Sequence, residues 1–290
     1  MSKKNKLEIP VFKLDKKNKR ACDIAKKVQF LDIESSLVDA RVFRTGLQTI
    51  NANQLSNTTK ILTVAGGSMY DLAFKGEKGI WGFSNHQSST FKKDPLDDTE
   101  VLEKVWRKLD EADVVVAHNS RFDKGHLMGR FLELGWALPS RFALVCTYRS
   151  LHGYDLTSKK LDELSQTLVG TEKIHTDFSL WNRCSDGEVS AFKEMLRYNK
   201  GDIYETMFKL YMRTCQYYPQ KSVDLTDHSL PLAQCRVTGR LLDELEDVHT
   251  NHSTGKQYQL YHNPENNLYY VDRYCVGSKK AGIGKVKHHM

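Results

Sequence analysis

Apolar positions follow two rhythms between residues 28 and 215. The first is a short, nearly unbroken run. Residues 28–33 and 114–117 are of this kind and read as strands covered on both faces. Residues 40–46, 61–65, 79–83 and 142–147 are weaker runs that read as further strands. The second rhythm is helical. After Asp97 or Asp98 as N-cap, Val101, Leu102, Val105, Trp106 and Leu109 fall on one face. Leu127, Phe131 and Leu134 repeat that spacing up to Gly135, a suitable helix end. Residues 161–168 form a helix closed by Gly170. Val189, Phe192, Met195 and Leu196 line another, which opens near Ser185 or Asp186. Helices set between strands predict an α/β core, an open sheet covered on its faces.

The acids matter because of where this pattern puts them. In Val28-Gln29-Phe30-Leu31-Asp32-Ile33-Glu34, alternation along a strand sends Asp32 and Glu34 to one face and Leu31 and Ile33 to the other. Two carboxylates held that close repel unless a cation sits between them. A hard divalent ion, Mg²⁺ or Mn²⁺, suits oxygen ligands. A second acid lies in Ala117-His118-Asn119-Ser120-Arg121-Phe122-Asp123, where a buried strand passes into a helix, the usual ligand-binding rim of an α/β sheet. The third motif, Tyr198-Asn199-Lys200-Gly201-Asp202, sits in a helix, and its four-residue spacing puts Tyr198 and Asp202 on one face.

Taken together, the three motifs resemble those of the DEDD exonucleases of the ribonuclease H-like (DnaQ-like) superfamily, in the subgroup with tyrosine in the third motif. Lys160-Leu161-Asp162-Glu163-Leu164, Leu168-Val169-Gly170 and Phe178-Ser179-Leu180-Trp181 extend the similarity to a bacterial and phage branch related to the exonuclease domains of B-family DNA polymerases. The resemblance covers roughly residues 28 to 215. Gly201 departs from the branch, which carries a larger polar residue there. A glycine inside a helix costs ~1 kcal/mol relative to alanine.

The resemblance implies a ribonuclease H-like mixed sheet flanked by helices and a 3′–5′ exonuclease that uses two divalent ions, Mg²⁺ or Mn²⁺. Asp32 would bridge both ions, Glu34 and Asp202 would complete one site, and Asp123 would help hold the other. Tyr198 would orient the attacking water, since a phenol with a pKa near 10 is a poor base at neutral pH. Asn119 and Phe122 would hold and stack against the terminal nucleotide. The expected partner is nucleic acid with a 3′ end, DNA being favoured, with a separate DNA polymerase or replication protein as a further partner. Two alternatives stay open: a ribonuclease that processes RNA ends, and a catalytically silent module that binds nucleic acid or assists a polymerase.

Composition adds limits. The 290 residues suffice for one full core and a smaller appendage. No apolar run approaches the ~20 residues needed to span a bilayer, and the lysine-rich start lacks the apolar stretch of a secretory signal. Six scattered cysteines read as reduced thiols. A cytoplasmic protein is expected, in the host cytoplasm if the chain is phage-encoded. Residues 1–27 carry ten Lys/Arg against three Asp/Glu and read as a basic arm, either tracking phosphates or simply solvated. Ile9-Pro10-Val11-Phe12 within it is a candidate short strand or clamp.

Residues 28–215 form the expected exonuclease domain, and residues 216–290 a linker with a small β-hairpin module and basic tail. In the latter, residues 241–248 read as a helix or strand, and 257–261 with 268–274 as a hairpin. Its tyrosines divide between core packing and base stacking. Cys235, His249, His252, His262 and Cys275 lack the paired spacing of a zinc ribbon, so a metal-free module is the expectation. His126 and His175 read as structural or exposed, because the tyrosine fills the catalytic slot.

Overall fold

A computed structural model describes residues 13–44, 46, 49–171, 176–217, 222–226, 233–264, 268–272, 276 and 286–289. The chain enters through helix α1 (Lys19–Lys26), where the side chain of Asn18 caps the helix by accepting from the Ala21 amide. This helix belongs to the segment read as a basic arm, yet its Ala21 and Ala25, together with Leu14, are part of the main core.

Strand β1 (Val28–Ser35) lies at the centre of a five-stranded sheet. Strands β2 (Ile61–Ser68), β3 (Trp81–Ser84), β4 (Val114–Ala117) and β5 (Ala143–Cys146) complete it in the order β3-β2-β1-β4-β5. The β1–β2 and β2–β3 pairs are antiparallel, while β1–β4 and β4–β5 are parallel. This is the mixed sheet expected of the ribonuclease H-like class. Residues 40–46 are not part of it. Both edges of β1 are already taken by β2 and β4, and among the described residues that segment pairs through an isolated Ala40–Leu55 bridge within the β1–β2 connection. At β2, Gly66 lets the Trp81 ring lie across the strand, where a Cβ would come within 2.4 Å of that ring.

Helix α2 (Met69–Lys75) follows β2, α3 (Thr99–Asp110) precedes β4, and α4 (Arg121–Glu133) follows it. Leu31 and Ile33 of β1 pack with Val101, Leu102 and Val105 of α3 and Leu127 and Phe131 of α4. Asp98 precedes α3 but makes no side-chain cap. Its carboxylate is taken instead by Arg130, through Nε at 2.9 Å and a terminal nitrogen at 2.7 Å, and by the Ile61 amide at 2.9 Å. A buried aspartate must be paired in this way, and the pairing ties α3, α4 and β2 together. Asp97, by contrast, accepts from the Thr99 amide at 3.1 Å.

After β5 come the short helices α5 (Thr147–Ser150) and α6 (Leu161–Leu164), the latter continued by a π-helical segment, Ser165–Val169, that ends at left-handed Gly170. The third-motif helix does not open at Ser185 or Asp186. Ser185 is the last residue of α7 (Phe178–Ser185), which the Asp177 carboxylate caps, and α8 (Val189–Gly201) begins after Glu188. A second π-helical segment, Asp202–Phe208, and helix α9 (Lys209–Thr214) then follow without a break. Phe30 of β1 packs edge-on against Phe208 and Tyr211, with ring centroids 5.2 and 5.3 Å apart.

The expected C-terminal hairpin is part of a four-stranded antiparallel sheet, β6 (Asp243–Thr250), β7 (Gln257–Asn263), β8 (Leu268–Asp272) and β9 (Val286–His289). Tyr261 and Tyr270 are buried in the main core beside Cys235 and Leu242, while Tyr269 is exposed. Residues 9–12, His175, Tyr274, Cys275 and residues 277–285 of the tail lie outside the described residues. No helix among the described residues is long and apolar enough to cross a membrane.

Candidate metal centre

The centre is built on β1. Strand alternation buries Leu31 and Ile33 on the α3–α4 side and leaves Asp32 and Glu34, both half-buried, on the other. In register, Asp32 faces Ala65 and Glu34 faces Thr63 of β2. The third acid arrives from far along the chain. Asp202 stands at the junction of α8 and the π-helical segment and is only 3% exposed. Carboxylate oxygens of Asp32, Glu34 and Asp202 all lie within 4.8 Å of one another, the one such group among the described residues that could hold a metal ion. Gly201 sits where α-helical bonding gives way to π-helical bonding. Such π segments recur at functional sites, and here one starts on the acid itself.

Asn199, one residue after Tyr198 in the third motif, is wholly buried, and its Nδ2 donates to Asp32 Oδ2 at 2.5 Å. Its Oδ1 has no partner among the described residues. A buried amide left half-satisfied costs stability, so this residue is held where its N–H orients the Asp32 carboxylate. The reading from sequence gave Asn199 no role. A polar residue on the apolar side of an amphipathic helix, in line with Phe192 and Met195, was the available signal.

Asp123 is placed differently from the other three acids. It lies in the first turn of α4, is 3% exposed, and accepts from the backbone amide of Ile33, between Asp32 and Glu34, at 3.3 Å. Burial raises its pKa to about 7, against the opposing pull of backbone hydrogen bonds from Ile33 and its own amide. It therefore flanks the cluster without joining it.

The turn that delivers Asp123 is specific. Asn119 takes a left-handed φ of +58°, a conformation asparagine tolerates better than most residues. His118 braces it. Its Nε2 lies 3.0 Å from the Lys159 carbonyl, which can only accept, so a neutral ring has the proton on Nε2 and takes the Thr147 hydroxyl on Nδ1 at 2.8 Å. Asn119 and Phe122 are exposed at the surface, Phe122 to 45%, with its ring edge-on to His126 at 4.3 Å. Burial lowers the pKa of His126. Tyr198 is half-buried, edge-on to Trp181 at 6.3 Å, on the helix that carries Asn199 and Asp202.

No family model matches this sequence, and no curated protein does. Among solved structures the chain is similar to an RNase D from Trypanosoma brucei, at 14% identity over 76% of this chain and 68% of that one, with a TM-score of 0.39. So remote a likeness assigns no residue a role. The chemistry rests on the donor set itself. Three carboxylates within 4.8 Å of one another repel unless a cation or a proton offsets their charge, and an all-oxygen set suits hard divalent ions such as Mg²⁺ or Mn²⁺.

Proposed function

We propose that this chain is a divalent-metal-dependent exonuclease of the tyrosine-bearing DEDD type, which hydrolyses phosphodiester bonds at the 3′ end of nucleic acid, DNA above RNA. The observation that carries this reading is the convergence of Asp32 and Glu34, on a central strand, with Asp202, on a helix far along the chain, inside 4.8 Å. Asp32, Glu34 and Asp202 are the ligands, and Asp123 is the flanking fourth acid. Bound Mg²⁺ or Mn²⁺ would supply Lewis-acid stabilisation of charge at phosphorus and a water of lowered pKa.

The protein's own groups do the rest. Asn199 fixes the rotation of Asp32 through its Nδ2, the kind of supporting bond whose loss typically costs 10–100-fold in metal affinity or activity. Tyr198 orients the attacking water with its hydroxyl. Phe122 offers an exposed ring against which a terminal base can stack, and Asn119 an exposed amide for hydrogen bonds.

The test uses 5′-labelled single- and double-stranded DNA and RNA incubated with Mg²⁺, Mn²⁺ or EDTA. Stepwise shortening from the 3′ end with either metal, none in EDTA, and faster loss of DNA are expected. Faster loss of RNA would mark a ribonuclease. Binding without cleavage in either metal would overturn the enzyme reading in favour of a silent binding module.

A further inference from the structure

The helix that turns Asn199 and Asp202 toward the metal centre has a second working face. Lys193, Arg197 and Lys200 follow one another at intervals of four and three residues, so they form one stripe, pointing away from Tyr198 and Asp202. They line an open cleft of about 510 Å³ whose floor includes Ile80 and Leu196. Gly82 makes room there, since a Cβ at that position would fall 2.5 Å from Lys200 Cε. Past Tyr204, which borders both, a second cleft of about 550 Å³ opens beside α9 and α2, lined by Lys13, Lys209 and Arg213 over Phe74 and Met212.

Six cations therefore face two adjoining clefts that hold only two carboxylates, Glu77 and Glu205. Glu205 is taken up by Lys209 at 2.5 Å. Among the described residues Lys193, Arg197, Lys200 and Arg213 form no ion pair. Unpaired cations gathered in concave, partly apolar surface make a focused positive field. From Lys193 to Arg213 the helix rises about 30 Å, far more than one phosphate needs. A polyanion with repeated phosphates and apolar bases matches both the charge and the lining.

We infer that these two clefts form a nucleic-acid-strand binding surface outside the metal centre, its first part carried by the α8 stripe that points away from Tyr198 and Asp202. The nuclease reading enters only in the choice of ligand, so binding is read in EDTA, where hydrolysis plays no part.

The experiment measures fluorescence anisotropy of fluorescein-labelled single-stranded 20-mer DNA and RNA with the full chain across a salt series. It compares the parent with Arg197→Glu/Arg213→Glu, with the milder Arg197→Gln/Arg213→Gln, and with Lys92→Glu/Lys93→Glu as a control of equal charge change on an exposed loop. Thermal unfolding checks each fold. The Glu pair should weaken binding at least about tenfold and flatten the salt slope by about 1.4, the value for two lost phosphate contacts on a single strand. The Gln pair should fall between, and the control should stay within about twofold of the parent. Equal weakening by the control would overturn the surface, leaving only net charge. So would unchanged binding in the Glu pair, or competition by poly-L-glutamate as strong as that by unlabelled oligonucleotide.

Discussion

The two sheets of this protein carry acids at the same spacing in opposite settings. β1 holds Asp32 and Glu34 two residues apart, and β6 holds Glu244 and Glu246 two residues apart. Seven of the eight residues of β1 pair with β2, a strand buried throughout, whereas β6 is an edge strand with no fully buried residue. Water solvates the β6 carboxylates at no cost. On β1 the acids are half-buried and the buried Asp202 arrives from a second element, so three carboxylates meet in a group that could hold a cation. Spacing alone does not gather acids into one group; half-burial on a central strand and a third acid from a distant helix do.

The sharpest way to break this contrast is Asp32→Asn. It keeps shape and the contact with Asn199 in modified form, but removes a ligand charge. Hydrolysis should fall on the order of a hundred- to a thousandfold, measured as initial rates at saturating Mg²⁺, with the fold intact by circular dichroism. Next comes packing. Phe30 is wholly buried under Phe208 and Tyr211, so Phe30→Ala should cost about 3–5 kcal/mol in urea unfolding. Asn199→Leu refills the volume without the N–H. Its activity should drop 10–100-fold, chiefly as a higher metal requirement, while its unfolding midpoint stays near or above that of the parent.

Asp123 gives a pH signature. Its folded pKa of about 7 exceeds the ordinary 3.8. The group therefore destabilises the metal-free fold as pH rises from about 4 to about 7, and the cost is absent below that window. Asp123→Asn retains an acceptor for the Ile33 amide and should be more stable than the parent by about 1–3 kcal/mol at pH 8 in EDTA. The gap should close as pH falls to 4, as followed by denaturant midpoints. The smallest effect belongs to β6. Glu244→Gln/Glu246→Gln should alter stability by no more than about 0.5 kcal/mol and leave hydrolysis at the parental rate.

Much of this was readable from local pattern. Asp32 and Glu34 sit on an alternating apolar strand, Asp123 lies in the first turn after an apolar run, and Tyr198 and Asp202 share a helical spacing, because strand and helix periods are local properties. What failed was non-local. Residues 40–46 have a strand-like sequence, but whether they join a sheet depends on an open edge, and β2 and β4 had closed both edges of β1. Asp98 was a natural cap until Arg130 claimed it from another helix. Ser185 and Glu188 differ by three residues, yet a separate capped helix ends at the first. The inward turn of Asn199 and the π-helical register beginning at Asp202 depend on how α8 packs over the sheet.

The central claim is that Asp32, Glu34 and Asp202 share a divalent cation. Titration of the full chain with Mn²⁺, following the loss of the free-ion signal by electron paramagnetic resonance, tests it without any substrate. Saturable binding that Mg²⁺ displaces in the parent and in Glu244→Gln/Glu246→Gln, but that is lost in Asp32→Asn and in Asp202→Asn, is the predicted result. Equal Mn²⁺ binding in the parent and both Asp→Asn variants would contradict it.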